Sequence, residues 1–289
     1  MKTVALFGGS FDPPHIGHIE IVRKLKKLPF IQKVIIMPTY LNPFKERFYA
    51  PASIRLHWLK TIFANDNKVE VSDFEVSKNK KTPTYETVKH LLQQYDKIYV
   101  VIGADNITSL DRWYKYNQLE KMVEFIVFER KGYNIPKGYF SIELDIPLSS
   151  TRLRKNIDKE SLPKELQKEI YSFYKIRRTM QTRVENITQI LDKHKAENIE
   201  VFDLTGKDYI VDQAIIASSL GQKHTLALLD HLKKELKPDE TFNYVDESGD
   251  WVVIDLGDIL IHIMTPEYRT KYDLETFLSE IDKQKQEEF

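Results

Sequence analysis

Thr3-Val4-Ala5-Leu6-Phe7-Gly8-Gly9-Ser10-Phe11-Asp12-Pro13-Pro14-His15-Ile16-Gly17-His18 is the stretch on which the fold turns. Thr3–Phe7 reads as a strand. The adjacent glycines after it let the backbone turn closely around a phosphate. Gly17 lets a helix start with His18 in its first turn, where free N–H groups favour anions. With His15 just before that start, two imidazoles converge on one phosphate-sized space, and such a pair can donate hydrogen bonds as charge builds on a phosphoryl group. The spacing fits neither Gly-x-Gly-x-x-Gly nor Gly-x-x-x-x-Gly-Lys-Ser/Thr, so it is neither a dinucleotide fingerprint nor a P-loop. The bland alternatives are a zinc-ligating histidine or two core histidines. With no carboxylate or third histidine at ligand spacing, no metal site is expected.

Outward from this loop, short β-branched or aromatic runs alternate with helical patterns. Lys33–Met37, Lys68–Val71, Ile98–Ile102 and Glu124–Phe128 read as further strands, with helices over 17–27, 51–64, 84–94 and about 116–122. That order predicts a parallel α/β sheet covered on both sides, with its ligand site beyond the carboxyl ends of the strands, near Gly8-Gly9, Pro38-Thr39 and Gly103-Ala104-Asp105. Tyr139–Ile146 adds a strand, and a helical stretch follows Ser149-Ser150-Thr151 to about Arg178. From Met180 the pattern changes. A helix over 182–195, strands at Ile199–Leu204, Tyr209–Ala217, Trp251–Leu256 and Ile259–Met264, and helices at Gln222–Leu236 and Leu274–Ile281 describe a small α/β domain on a mixed sheet. The expected domains are therefore 1–179 and 180–289.

Composition supports two domains with different partners. The 289 residues carry 43 Lys+Arg and 43 Asp+Glu, yet 31 basic and 20 acidic residues precede Met180, leaving 12 basic and 23 acidic after it. The +11 part attracts polyanions such as nucleotides, and the −11 part suits a basic protein, which is the simplest account; mutual neutralisation across an interface is the bland alternative. At 42% hydrophobic and 30% charged the chain has material for sizeable cores. Without cysteine it has no disulfide framework, thiolate metal site or thiol nucleophile. No apolar run is long enough to cross a bilayer, and Gly8-Gly9 interrupts the first one before a signal-peptide core is complete. A non-exported, cytoplasmic chain with no membrane partner is expected.

A second cluster, Pro147-Leu148-Ser149-Ser150-Thr151-Arg152-Leu153-Arg154, reads either as an ordinary helix cap or, paired with the histidine loop, as half of a triphosphate clamp. Lys45 and Arg55 could meet the same anion or sit on solvated surface. Asp105 could accept from a ribose or adenine or merely cap a turn, and Trp113 could stack on an aromatic ring or simply pack.

Residues 1 to about 178 resemble the bacterial nicotinate-nucleotide adenylyltransferases, within the nucleotidyltransferase group that carries a His-x-x-His signature. The resemblance rests on the loop at 8–18, Met37-Pro38 leading to Pro43-Phe44-Lys45, Thr82-Pro83-Thr84-Tyr85-Glu86-Thr87, Ile102-Gly103-Ala104-Asp105 with Trp113, and Ser149 to Arg154. It implies a Rossmann-like sheet and transfer of AMP from ATP, with Mg²⁺ carried on the phosphates, to nicotinate mononucleotide, giving deamido-NAD and pyrophosphate. His15 and His18 would then be catalytic. Gly8, Gly9, Ser10, Phe11, Lys45, Gly103, Asp105, Ser149, Ser150, Thr151 and Arg154 would bind ATP, and Thr84, Tyr85 and Trp113 the acceptor's pyridine ring. The alternative is an adenylyltransferase for nicotinamide mononucleotide or phosphopantetheine with a regulatory or dimerising C-terminal domain.

Residues 180–289 offer no comparable constellation: His224 and His262 lie on different elements, and Asp255 and Asp258 flank Gly257 as turn residues would. Strand-rich surface with Trp251, Tyr268 and Tyr272 among acidic residues suits protein binding. This part is similar to the ribosomal silencing factor (Iojap) family over about 197–281, through Asp208-Tyr209-Ile210-Val211, Gln222-Lys223-His224-Thr225, Trp251 to Asp258, Ile261 to Met264, Pro266-Glu267-Tyr268-Arg269 and Tyr272 to Glu275. That family implies binding to the large ribosomal subunit at its basic protein uL14, which blocks subunit joining and represses translation. Asp258, Glu267, Tyr268 and Arg269 are the contact candidates, and a homodimer through this domain is the competing association.

Overall fold

The computed structural model describes residues 2–45, 48–144, 146, 149–237 and 239–284, with side chains in the last helix described to Ile281. Two compact units divide it, Met1–Lys175 and Ile176–Phe289.

In the first unit the elements run β1 (Thr3–Gly9), α1 (Ile16–Leu25), β2 (Lys33–Pro38), α2 (Ala52–Ile62), β3 (Val69–Val71), α3 (Thr84–Leu91), β4 (Lys97–Gly103), α4 (Tyr116–Leu119), β5 (Glu124–Phe128), β6 (Phe140–Ile142), α5 (Ser150–Lys155) and the start of α6 (Gln167–Lys193). The strands form one parallel sheet in the order β3-β2-β1-β4-β5-β6. Because successive strand residues face opposite sides, Val4 and Leu6 pack with Tyr85, Val88 and Leu91 of α3, while Ala5 and Phe7 pack with Val22 and Leu25 of α1 and Leu59 of α2. Both faces are covered, as a parallel sheet requires. The chain order reverses between β1 and β4, so the crevice at their carboxyl ends is the place for a ligand.

The second unit takes the rest of α6, then β7 (Glu197–Asp203), β8 (Gln213–Ser218), α7 (Gln222–Leu236), β9 (Tyr244–Glu247), β10 (Trp251–Asp255), β11 (Ile259–Met264), α8 (Pro266–Tyr272) and α9 (Leu274–Gln284). Its sheet order is β7-β8-β11-β10-β9. Only β8 and β11 are parallel. Ile187, Ile190 and Leu191 of α6 and Leu228, Leu229 and Leu232 of α7 cover one face, and Leu278 of α9 the other.

The architecture is the expected Rossmann-like parallel sheet followed by a mixed-sheet α/β domain, with local corrections. The helices expected to end near Arg178 and to begin at 182 are one helix, because Thr179-Met180-Gln181 contains no breaker. The strand expected at Tyr209–Ala217 begins at Gln213. Before it the backbone turns, Asp212 N–H donating to Asp258 O at 3.1 Å. The strand expected at Tyr139–Ile146 spans Phe140–Ile142; Asp145, like Pro147 and Leu148 of the second cluster, lies outside the described residues. β9 and α8 are additions. In α8 the signal was Pro266 at the first helical position, where its missing N–H costs nothing.

Candidate functional site

β1 delivers the loop into the crevice and α1 fixes the two histidines. His15 holds the N-cap position in extended backbone, and its N–H donates to His18 Nδ1 at 3.1 Å. A neutral His18 accepting at Nδ1 carries its proton on Nε2, free to donate. The rings stack with centroids 3.7 Å apart. Gly17 is obligatory here, since a Cβ on it would stand 2.9 Å from His15 Nδ1. Burial pushes the His15 pKa down to about 4, the Arg130 guanidinium adding to the effect. Burial, then His15 and Arg130, pushes His18 well below the usual imidazole range too. Both rings are therefore neutral hydrogen-bonding groups at pH 7. His15 Nδ1 is buried without a protein partner, an uncompensated cost of the kind tolerated at ligand sites.

The pair opens onto a cavity of about 490 Å³. Gly8, Gly9, Gly103 and Asp105 line it at the strand ends, and Thr84, Tyr85 and Trp113 line it as well. Trp113 packs partly buried against the core and also lines the cavity. The Tyr85 hydroxyl donates to Gln118 Oε1 at 3.0 Å, which fixes its ring at the start of α3.

Other expected residues lie around the loop instead of in the cavity wall. Phe11 is 2% exposed, with a left-handed backbone (φ 49°), and meets His18 edge-on at 4.9 Å, supporting the imidazole from below. Lys45 Nζ donates to Ser10 Oγ at 3.4 Å, and burial lowers its pKa. The second cluster does meet the first. Ser149 caps α5 by accepting from Arg152 N–H, Ser150 Oγ donates to Pro13 O at 3.0 Å, and Arg154 donates to Asp12 O and, at 3.1 Å, to Thr151 Oγ1.

Arg55 is the correction at this site. It is 1% exposed and donates to the carbonyls of Ala50, Ser10 and Tyr40 at 2.8, 2.6 and 2.8 Å. It is neither solvated surface nor a free anion ligand; it pins the loop after β2 to the histidine loop. Asp12 works alongside, accepting from the Tyr49 and Ala50 N–H groups and from the Tyr174 hydroxyl.

Arg130 and Glu75 are charged cavity residues that escaped the sequence reading. Arg130 follows β5 at its carboxyl end and pairs with Asp105 at 3.0 Å; the strand-end rule that picks out Asp105 would have found it. Glu75, 5% exposed, accepts from Thr87 Oγ1 at 2.6 Å, and burial raises its pKa to about 7. No sequence pattern distinguishes it from the surface acids beside it.

In the second unit Glu267 is exposed and Tyr268 half-buried. Asp258 is held by Arg183 at 2.7 Å. Arg269 is 9% exposed and bound to Glu200, Glu275, Asn198 O and Ser218 Oγ, so it organises the domain from within.

A doubly covered parallel sheet with a neutral histidine pair at its switch point defines a nucleotidyltransferase domain. Residues 6–156 match the family model described as cytidylyltransferase-like, and residues 177–289 match "Ribosomal silencing factor during starvation". The probable nicotinate-nucleotide adenylyltransferase of Sulfurimonas denitrificans is 55% identical over 175 residues, 61% of this chain and 96% of that protein. That of Nitratiruptor sp. is 48% identical over 174 residues, 60% of this chain and 98% of that protein. A solved structure of the Plasmodium falciparum nicotinic acid mononucleotide adenylyltransferase complexed with NaAD shares the fold, with TM-score 0.50 and 23% identity over 60% of this chain and 94% of that one. The chain belongs to the nicotinate-nucleotide adenylyltransferase branch of the cytidylyltransferase-like enzymes and carries a ribosomal silencing factor domain fused after it. No helix among the described residues is long and apolar enough to cross a membrane.

Proposed function

We propose that the first domain, residues 1–179, transfers AMP from ATP to nicotinate mononucleotide, giving deamido-NAD and pyrophosphate. The observation that carries this is the neutral, stacked His15–His18 pair with a proton fixed on His18 Nε2 and an unpartnered buried nitrogen on His15. The acceptor phosphate is already an anionic nucleophile, so no covalent intermediate is required. The enzyme positions the two phosphates in line, and the imidazoles hydrogen-bond the α-phosphoryl oxygens as charge builds there.

MgATP is the substrate. Asp12 and Asp105 are committed to backbone N–H groups and to Arg130, and the ion travels on the phosphates. Gly8, Gly9, Ser10, Gly103 and Asp105 flank the nucleotide, with Phe11 supporting His18 beneath it. Lys45, Ser150 and Arg154 release their loop contacts and, with Ser149 and Thr151, hold the triphosphate. Thr84, Tyr85 and Trp113 enclose the pyridine ring.

The second domain, residues 180–289, binds the large ribosomal subunit through uL14 and represses translation by blocking subunit joining. Its family match and net acidity support this, and Glu267 and Tyr268 are its accessible contact residues. Both activities place the chain in the cytoplasm.

Pyrophosphate release with MgATP and nicotinate mononucleotide, nicotinamide mononucleotide or phosphopantetheine tests the first part. Preference for the nicotinate acceptor is expected, with a loss of roughly 10²–10³ in turnover for His18→Ala. Turnover within a few-fold of the parent would refute the role given to His18. Co-sedimentation with large subunits tests the second part, and association unchanged by Glu267→Lys would remove that residue from the interface.

A further inference from the structure

A cluster in the second domain is untouched by either activity. His194, just past the end of α6, and His231 and Glu235, one turn apart on α7, each offer a ligand atom, and these atoms all lie within 4.8 Å of one another. The two imidazoles stack with centroids 3.5 Å apart and planes 10° from parallel, so their ligand atoms lie close together and one ring must turn for both lone pairs to meet a single ion. His194 Nε2 meets Glu235 Oε1 at 2.6 Å, and the other carboxylate oxygen takes Lys193 Nζ at 2.8 Å. His194 is further fixed through its own carbonyl, bonded to His224 Nε2 at 2.8 Å.

We propose that His194, His231 and Glu235 form a binding site for a borderline divalent cation of the zinc class, stapling the end of α6 to α7. Two imidazoles and one carboxylate are the donor set for such ions, whereas Mg²⁺ and Ca²⁺ prefer all-oxygen shells. Ligand bonds of about 2.0–2.1 Å at tetrahedral angles need donor atoms about 3.4 Å apart, a contraction that partly exposed side chains can supply. The cation replaces the proton between His194 and Glu235; that proton moves to the other imidazole nitrogen or to water. Lys193 opposes the cation by charge: its ammonium sits on the carboxylate's other oxygen, Oε2, on a side chain 63% exposed and able to swing away. A fourth position stays open to water.

The test is titration of the metal-free full-length chain with Zn²⁺ by calorimetry, and with Co²⁺ by visible absorption. One equivalent per chain is expected. Glu235→Gln and His231→Ala should weaken it by about tenfold or more, by loss of a direct ligand, while Lys193→Ala should tighten it. Unchanged far-UV circular dichroism and unchanged pyrophosphate release would show that the variants are folded. Equal affinity in the parent, Glu235→Gln and Lys193→Ala overturns the proposal. So does an equivalent lost only when His15 and His18 are replaced, which would put the ion in the nucleotide loop.

Discussion

Acidification between pH 6.5 and 4 should weaken the N-terminal domain through its histidine loop, and His15→Gln should remove that component. An unfolded His15 takes up a proton near 6.5, whereas the folded ring, buried and beside Arg130, resists protonation until about pH 4. The folded pKa is depressed, so the unfolded chain binds more protons in this window. Stability is fully present above pH 6.5 and declines as the pH falls toward 4. At about 1.4 kcal/mol per pKa unit, the drop from 6.5 to about 4 corresponds to about 3 kcal/mol from His15 alone. Urea unfolding of the full chain carrying Trp251→Phe leaves Trp58 and Trp113, both in the first domain, as the fluorescent reporters. Unfolding free energies with and without His15→Gln, followed across the window, isolate the term, because the carboxylates titrate in both proteins and cancel. The Gln variant should gain about 2–3 kcal/mol relative to its parent on going from pH 7 to pH 4. Parallel curves would refute burial of a neutral imidazole as the cause.

Glu75 should behave with the opposite sign. Burial raises its folded pKa to about 7, so its contribution is present below pH 4.5 and lost as pH rises to 7; Glu75→Gln should be more stable than the parent by up to about 3 kcal/mol at pH 8 and similar at pH 4, read by the same unfolding assay. Arg55→Ala leaves one buried and two partly buried carbonyls without this donor and should cost about 3–5 kcal/mol, visible as a lowered Tm of the first domain; a surface-like loss under about 0.5 kcal/mol would contradict the anchoring role. Gly17→Ala drives a methyl against His15 Nδ1, so turnover should fall more than tenfold while far-UV circular dichroism holds, and full activity would show that the close approach is dispensable.

The reading from residues alone was strongest where chemistry is local. The loop from Gly8 to His18 needs glycine for backbone approach and an imidazole at each edge of a helix start, and those requirements are written in consecutive residues. The same holds for the alternation of short strands and helices, which dictates a parallel sheet and places its ligand crevice, and for the change in charge and pattern at Met180. Residues whose role is decided by burial could not be read this way. Arg55 looked like a free cation after a strand and proved to be a buried strut. Arg269, within a surface-like acidic run, is the hub of its domain. Glu75 entered the site from a segment with no motif. α6 is one helix where two were expected, its Ile170 and Tyr174 packing in one core and its Ile187, Ile190 and Leu191 in another. His194, His231 and Glu235 lie across 42 positions of sequence and meet only because α7 packs beside the end of α6. Backbone demands and short-range spacing are properties of the chain itself. Burial, the pKa values that follow from it and the meeting of distant side chains arise only when the sheets are covered.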